Sequence, residues 1–461
     1  MMNFLRESLF FISIFYIIYL IIFATFSFLA VSIGAYRLYV NDRRIRYKNK
    51  FSRDDLPVSI LIPAFNEAVT IISSVNSLLD IEYKQYEIII VDDGSEDDTT
   101  QKLIDEFDMR LIKRPINREL ECQPKKEIYE TMIRGTSVTL ILKKNGGKGD
   151  ALNMGINACR YPYFLCMDAD SKLQKNSLKE IVEPVFEDDT VVAVGGMILI
   201  SQCVHMENGK AVSYSLPSNL LVCMQAVEYN RSFLASRILM DTFNGNLIIS
   251  GAFGLFKRST VISAGGYSSN NLGEDMELVL KLHGYCLNNG IKYRMRYQPS
   301  AICMTQAPIS FQDLSKQRRR WHIGLLQSML MHRRIIFNFR FGWVSFFSYL
   351  YYLLYELMAP IIELFGIVTI IVASYLDVLN VGYMISFLVI YVIYGTIISL
   401  SAFSQQIYTQ KIRISPADIP KTLILCMLEF VFFRYVLVAV RIMAFLRYKK
   451  NKATWGKIKR V

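Results

Sequence analysis

Residues 9–36 carry no charged side chain. At 1.5 Å per residue a helix of that length exceeds the roughly 20 residues needed to cross a hydrocarbon core. A cleavable leader would have a shorter apolar region and a small-residue cleavage site. Residues 1–42 are therefore expected to form one long, tilted membrane helix, a pair of short ones being the alternative. Apolar character returns in the last third. Residues 341–376 carry Glu356, Pro360 and Glu363, residues 383–403 are uncharged, and residues 423–445 carry Glu429, Arg434 and Arg441. Charge at membrane depth is costly, so these five charged residues are expected to face a protein interior, a polar pathway or the interface.

Basic residues flank the apolar ends. Arg43, Arg44, Arg46, Lys48 and Lys50 follow the first stretch, and a basic tail over residues 448–461 follows the last. This positive-inside pattern places residues 43–308 in the cytoplasm with the N-terminus outside, and it attracts anionic lipid. It also locates much of the formal charge of +12. No nucleic-acid recognition motif accompanies that charge, so no nucleic-acid partner is expected. Three crossings after a cytoplasmic domain would leave the basic tail outside. Either residues 341–376 break at Pro360 into two crossings, or residues 423–445 lie along the interface as an amphipathic helix. The eight cysteines contain no CxxC pair, which disfavours a zinc site or disulfide framework and suggests small buried side chains.

Between the membrane segments, short apolar runs alternate with helical stretches. Residues 58–63 and 87–91 read as fully buried parallel strands, with helices from about Glu67 to Leu79 and from Ser95 to Phe107. The pattern predicts a doubly wound, Rossmann-like α/β domain with its site at the carboxyl ends of the strands. Asp92 and Asp93 occupy that position, where they serve either as a turn and helix cap or as acceptors for uracil and ribose. Glu67, beyond the first strand, is expected to face the same crevice. The run from Lys143 to Asn153 lacks the GxxxxGK[ST] spacing, which disfavours a Walker nucleotide triphosphatase. Lys148 within it is a candidate partner for a nucleotide phosphate or a solvated lysine. Residues 113–139 match no motif, and their Glu and Lys content suggests a mobile loop.

Asp168 and Asp170 follow an apolar strand and are separated by one residue, a spacing that lets them share one hard cation. Mg2+ or Mn2+ there would stabilise a departing diphosphate as a Lewis acid. Glu274 and Asp275 open an amphipathic stretch that reads as a helix ending at Gly284. Either a capped structural helix or a general base at a donor site follows from that reading. Gln317, Arg320 and Trp321 share one helix face by their i, i+3 and i+4 spacing. The two polar residues suit a diphosphate, and the indole suits an acceptor sugar ring. Arg318, Arg319, Arg333 and Arg334 read as headgroup contacts of an interfacial helix over residues 309–340, ahead of membrane or interfacial helices over residues 341–447.

Taken in order, Val91-Asp92-Asp93-Gly94-Ser95, Asp168-Ala169-Asp170, Gly273-Glu274-Asp275 and Gln317-Arg318-Arg319-Arg320-Trp321 resemble the membrane-bound processive family 2 glycosyltransferases. That group contains cellulose, mixed-linkage β-glucan, hyaluronan and poly-N-acetylglucosamine synthases. Residues 250–258 also look like the segment before the catalytic helix in poly-N-acetylglucosamine-type enzymes. The resemblance implies a GT-A domain and inverting transfer from a UDP-sugar, UDP-glucose or UDP-N-acetylglucosamine, to a growing polysaccharide that crosses the plasma membrane. It implies donor contacts at Glu67, Asp92, Asp93, Lys148, Asp168, Gln317 and Arg320, and metal at Asp168 and Asp170. Asp275 is then the base, favoured over Glu274 by the resemblance alone, with Glu274 and Trp321 at the acceptor. A transferase moving one sugar to a polyprenyl phosphate or lipid is the alternative, and an accessory subunit is left open. Two departures stand out: many relatives carry TED where this chain has GED, and no cyclic-dinucleotide-binding domain is expected after the membrane helices.

Overall fold

The computed structural model describes residues 2–47 and 56–448. Lys48, Lys50 and residues 449–461 of the basic tail lie outside them. The chain opens with α1 (Met2–Tyr47), one uninterrupted helix rather than a pair. Within it an 18-residue window of the apolar segment Arg6–Val40 is only 6% buried against protein, and Phe10, Phe11, Ile18 and Ile21 are exposed. Such a surface is stable in lipid and costly in water.

Strands and helices then alternate: β1 (Val58–Ala64), α2 (Ile71–Leu79), β2 (Tyr86–Asp92), α3 (Thr99–Glu106), β3 (Arg110–Leu111), β4 (Lys125–Ile133), β5 (Thr136–Lys143), α4 (Lys148–Ala158), β6 (Tyr163–Cys166), β7 (Lys172–Leu173) and α5 (Ser177–Glu187). The domain continues through β8 (Val191–Ile200), β9 (Val204–Glu207), β10 (Lys210–Tyr214), α6 (Leu220–Arg231), α7 (Arg237–Asp241), β11 (Gly254–Lys257), α8 (Arg258–Ser263), α9 (Glu274–Asn288) and β12 (Arg294–Thr305). Ten strands form one mixed sheet in the order β3-β4-β5-β2-β1-β6-β11-β8-β12-β7. Both faces are covered, as the continuous apolar runs require. Ile60 and Ile62 of β1 pack with Ile71, Val75 and Leu78 of α2. Leu61, pointing the other way, packs with Ala151, Leu152 and Ile156 of α4.

The four neighbours β5, β2, β1 and β6 run parallel, with Ala64 opposite Asp92 and Asp92 opposite Leu142. Their carboxyl ends therefore place Lys143, Asp93, the turn after Ala64, and Asp168 along one edge of the sheet. That edge is where a doubly wound sheet opens a crevice.

Several expectations are corrected here. Residues 113–139 are largely ordered: β4 pairs antiparallel with β5, Ile128 opposite Ile141, about a two-residue turn at Arg134 (φ 49°) and Gly135 (φ 83°). Two positive φ values at the turn match the twist of a tight hairpin. The upstream part is tied down as well, since Asn157 Oδ1 accepts from the backbone amides of Glu119 and Leu120. The helix placed at Ser95 begins at Thr99, because the Ser95 amide is held in a turn by Asp92 Oδ1 at 2.7 Å. The helix placed at Glu67 begins at Ile71 after a turn in which Glu67 O accepts from the Thr70 and Ile71 amides. Finally α9 runs through Gly284 to Asn288, where packing of its apolar face outweighs the weak propensity of one glycine.

After β12 the chain forms α10 (Phe311–Met331). Its first turn is capped by Ser310 Oγ, which accepts from the Asp313 amide and donates to the Asp313 carboxylate at 2.8 Å. The remaining long helices are α11 (Ala359–Tyr375), α12 (Val381–Gln410), α13 (Asp418–Leu428) and α14 (Arg434–Leu446). Among the described residues Arg6–Val40, Val381–Gln410 and Asp418–Leu446 are long and apolar enough to cross a membrane. Helix Val344–Leu357 joins α11 at a 52° bend. Pro360, in the first turn of α11, cannot donate a backbone hydrogen bond to the preceding turn, so the helix breaks there.

Candidate active site

Asp92 and Asp93 are both nearly fully buried. Asp92 is engaged by its own loop, accepting from the Ser95 amide and from the Thr100 hydroxyl. Asp93 accepts from the amides of Gly146 and Gly147, at 3.0 and 2.7 Å, and pairs with Lys143. Gly147 sits at φ +89°, a conformation costly for any side chain bearing Cβ. Lys143 has no exposed surface and also reaches Asp150 Oδ1 at 2.6 Å. Burial pushes the Asp93 carboxyl upward, against the pull of Lys143 and the two amides. This cluster pins the loop that delivers Lys148 to the first turn of α4. Glu67 accepts from Thr70 Oγ1 at 2.9 Å. Glu67, Asp92 and Asp93 lie outside the wall of the central cavity described next.

The other eight residues singled out from the sequence share a cavity of about 400 Å³. Lys148, Asp168 and Asp170, Glu274 and Asp275 at the start of α9, and Gln317, Arg320 and Trp321 on α10 all line it. Lys148 Nζ lies 2.6 Å from Asp168 Oδ1 and 3.3 Å from Glu274 Oε1. Burial alone would lower its pKa, but the two carboxylates more than reverse this and hold it above the ordinary lysine value. Burial raises the pKa of Glu274, with Lys148 opposing and Asp275 adding to the rise. Asp275 Oδ1 accepts from the Met276 amide at 2.8 Å, and Oδ2 from the Gly251 amide at 3.4 Å. The segment Ser250–Gly251 thus orients this carboxylate.

The register between α9 and α10 rests on a contact of two glycines. A Cβ on Gly273 would meet the Gly324 carbonyl carbon at 2.9 Å, and one on Gly324 would meet Gly273 N at 2.5 Å. The departure from TED therefore has a local reason: backbone lies against backbone where the helix bearing Asp275 meets the helix bearing Gln317, Arg320 and Trp321.

Asp168 and Asp170 offer hard oxygen donors on the cavity wall, Asp170 accepting from Ser171 and Thr305 at 3.3 and 3.5 Å. No group of three or more His, Cys, Asp or Glu that could hold a metal ion occurs among the described residues. The two aspartates fit a hard divalent cation only if substrate or solvent oxygens complete its shell.

The cavity continues among the membrane helices. Glu356, Pro360, Glu363, Glu429, Arg434 and Arg441 all line it. Arg434 pairs with Glu363 at 2.5 Å, Arg231 with Glu429 at 2.6 Å, and Arg441 lies 3.9 Å from Glu356. The expectation that these charges face a polar interior holds. One assignment does not: Arg318 is buried, paired with Glu228, rather than set at a headgroup. Glu228, Tyr229 and Arg231 were not singled out from the sequence, although Glu228 is a carboxylate within an otherwise largely apolar helix. That is a usable signal for a buried partner.

Residues 163–402 match the family described as Glycosyl transferase family group 2, and residues 59–121 match Glycosyl transferase family 2. Poly-beta-1,6-N-acetyl-D-glucosamine synthase of Staphylococcus aureus is 29% identical over 288 residues, covering 61% of this chain and 59% of that protein. The protein of the same name from Staphylococcus epidermidis is 27% identical over 270 residues, covering 58% and 54%. The matched region spans less than two thirds of these relatives. Mannosyltransferase PcManGT from Pyrobaculum calidifontis, solved in complex with GDP-Man and Mn2+, shares the fold at 16% identity. Its TM-score is 0.52, covering 89% of this chain and 99% of that one.

Proposed function

This chain belongs to glycosyl transferase family group 2, and we propose that it is a membrane-embedded, processive, inverting polymerase of a β-linked polysaccharide. The observation that carries the proposal is one cavity lined both by Asp275, Arg320 and Trp321 and by Glu363 and Arg434 of the membrane helices. A sugar added at the carboxylates would already stand at the entrance of a polar path through apolar helices. The donor is a UDP-hexose. The names of the relatives make UDP-N-acetylglucosamine the first to test, ahead of UDP-glucose.

In this reading an acceptor hydroxyl oxygen attacks the anomeric carbon from the face opposite the diphosphate. The hydroxyl proton passes to the Asp275 carboxylate, the bond from anomeric carbon to phosphate oxygen breaks, and UDP leaves with inverted stereochemistry at carbon. Gln317, Arg320 and Lys148 meet the diphosphate, whose charge grows as that bond breaks. Trp321 carries the acceptor ring and Glu274 lies beside it. Asp92, Asp93 and Glu67 are assigned to the uridine side of the donor, and Asp93 also holds the loop that carries Lys148. Asp168 and Asp170 would hold Mg2+ or Mn2+, which when bound neutralises diphosphate charge as a Lewis acid. The catalytic domain faces the cytoplasm, where nucleotide sugars are made, and the bilayer is the plasma membrane.

The test is UDP release and radiolabel incorporation by purified protein in nanodiscs, with each donor and each metal. High-molecular-mass product from one donor, abolished in Asp275→Asn, is expected. UDP release with only a lipid-linked monosaccharide would replace polymerisation by single transfer to a lipid.

A further inference from the structure

We propose that Arg318, clamped by Glu228, orients the Trp321 indole and so sets how the acceptor sugar is presented. The inference rests on the reading of Trp321 as acceptor platform given above. Arg318 Nη1 donates to Glu228 Oε1 at 3.0 Å and Nη2 to Oε2 at 2.6 Å. A two-pronged pair fixes the plane of the guanidinium as well as its position. That plane lies against aromatic rings on two elements. Its carbon is 4.6 Å from the Trp321 ring centroid and 5.9 Å from that of Tyr229.

The two rings are themselves 6.3 Å apart and inclined at 44°. Arg318 is 5% exposed, whereas Trp321 is 38% exposed. Such an indole has one face for the cavity and one on a fixed cation. Trp321 follows Arg318 by three residues on α10, so the helix supplies the contact, while Glu228 on α6 supplies the anchor from 90 residues away. Among the three residues of the motif that touch the reactants none is placed to hold the indole in this way. Arg318 is thus a positioning residue, and its effect should fall on acceptor use rather than on donor binding.

The chain has three tryptophans, so Trp343→Phe with Trp455→Phe leaves Trp321 as the sole indole emitter. In that background the pair is removed as Arg318→Met with Glu228→Gln, which leaves no unpaired buried charge, and the cation is kept as Arg318→Lys. Trp321 emission and acrylamide quenching are read beside UDP release at varied donor and varied acceptor oligosaccharide. The double variant is expected to quench more readily and to raise the acceptor KM about tenfold, the scale of a desolvated cation on a ring. The donor KM should not move, and Arg318→Lys, which keeps the charge but not the two-pronged plane, should recover only part of the loss. Unchanged quenching, or donor and acceptor KM worsening in step, would overturn the inference. Trp321→Ala separates the two claims. If it leaves the acceptor KM unchanged, the platform reading falls. If it raises that KM while the Arg318 variants do not, only the positioning role falls.

Discussion

Gly324→Ala tests whether the distance between α9 and α10 governs the chemistry. The new Cβ would lie 2.5, 2.7 and 2.8 Å from Gly273 N, Gly273 Cα and Leu272 C. Ordinary carbon contacts sit near 3.5–4.0 Å, so the two backbones must part by about 1 Å. No flexible side chain is there to yield instead. Overpacking of this kind costs roughly 1–3 kcal/mol. The larger effect should be on turnover, because the displaced helices carry Asp275 on one side and Gln317, Arg320 and Trp321 on the other. A misplacement of about 1 Å between reacting groups lowers rates by about 10²-fold. UDP release by the purified variant should fall by that order while the protein still purifies folded. Gly284→Ala, on the same α9 with nothing within 4 Å of its Cβ position, should keep full activity and gain roughly 0.5–1 kcal/mol. Wild-type turnover in Gly324→Ala would refute the reasoning.

Other outcomes follow from the charges. In Lys148→Met the cation that lowers the Glu274 pKa is gone, so the acid limb of the pH–activity profile should move to higher pH as kcat falls. An unmoved limb would show that Lys148 does not govern Glu274. His283 is buried between Tyr293 and the Asn246 carbonyl, at 2.7 and 3.0 Å, and burial depresses its pKa from 6.5 to about 4. The unfolded chain therefore binds the proton first, and stability present above pH 6.5 should drain away as pH falls toward 4. Thermal unfolding across that window should show the loss, and His283→Gln should flatten it. Glu363→Gln leaves the largely buried Arg434 guanidinium without its carboxylate partner, at a cost of roughly 3–5 kcal/mol. Arg434→Met with Glu363→Gln should recover most of that in thermal stability, and failure to do so would show that the pair does not act as a unit.

Much of the architecture was legible because it follows from local chemistry. Predominantly apolar runs at 58–63 and 87–91 between turn residues read as strands covered on both faces, and those strands end just before Asp93 and a few residues before Glu67. The uncharged stretch at 9–36 can only be stable as a helix in lipid. A spacing of i, i+3 and i+4 puts Gln317, Arg320 and Trp321 on one face of any helix. The cost of charge at membrane depth also sent Glu356, Glu363 and Glu429 to a protein interior, a polar pathway or the interface, though it did not say with which arginine each would pair.

Partners distant along the chain were decided only by the fold. Arg318 reads as a headgroup contact until α6 brings Glu228 over it, since helical spacing says which residues share a face and nothing of what covers that face. Asp93 reads as an open acceptor until β5 places Lys143 against it. The hairpin at 125–143 stayed hidden because its strands are half polar and earn their pairing from the edge of a sheet that had first to exist. The same holds for Gly273 and Gly324. Gly273 stands out alone only as a departure from TED and Gly324 not at all, and their packing sets the distance between the helix that bears Asp275 and the helix that faces it.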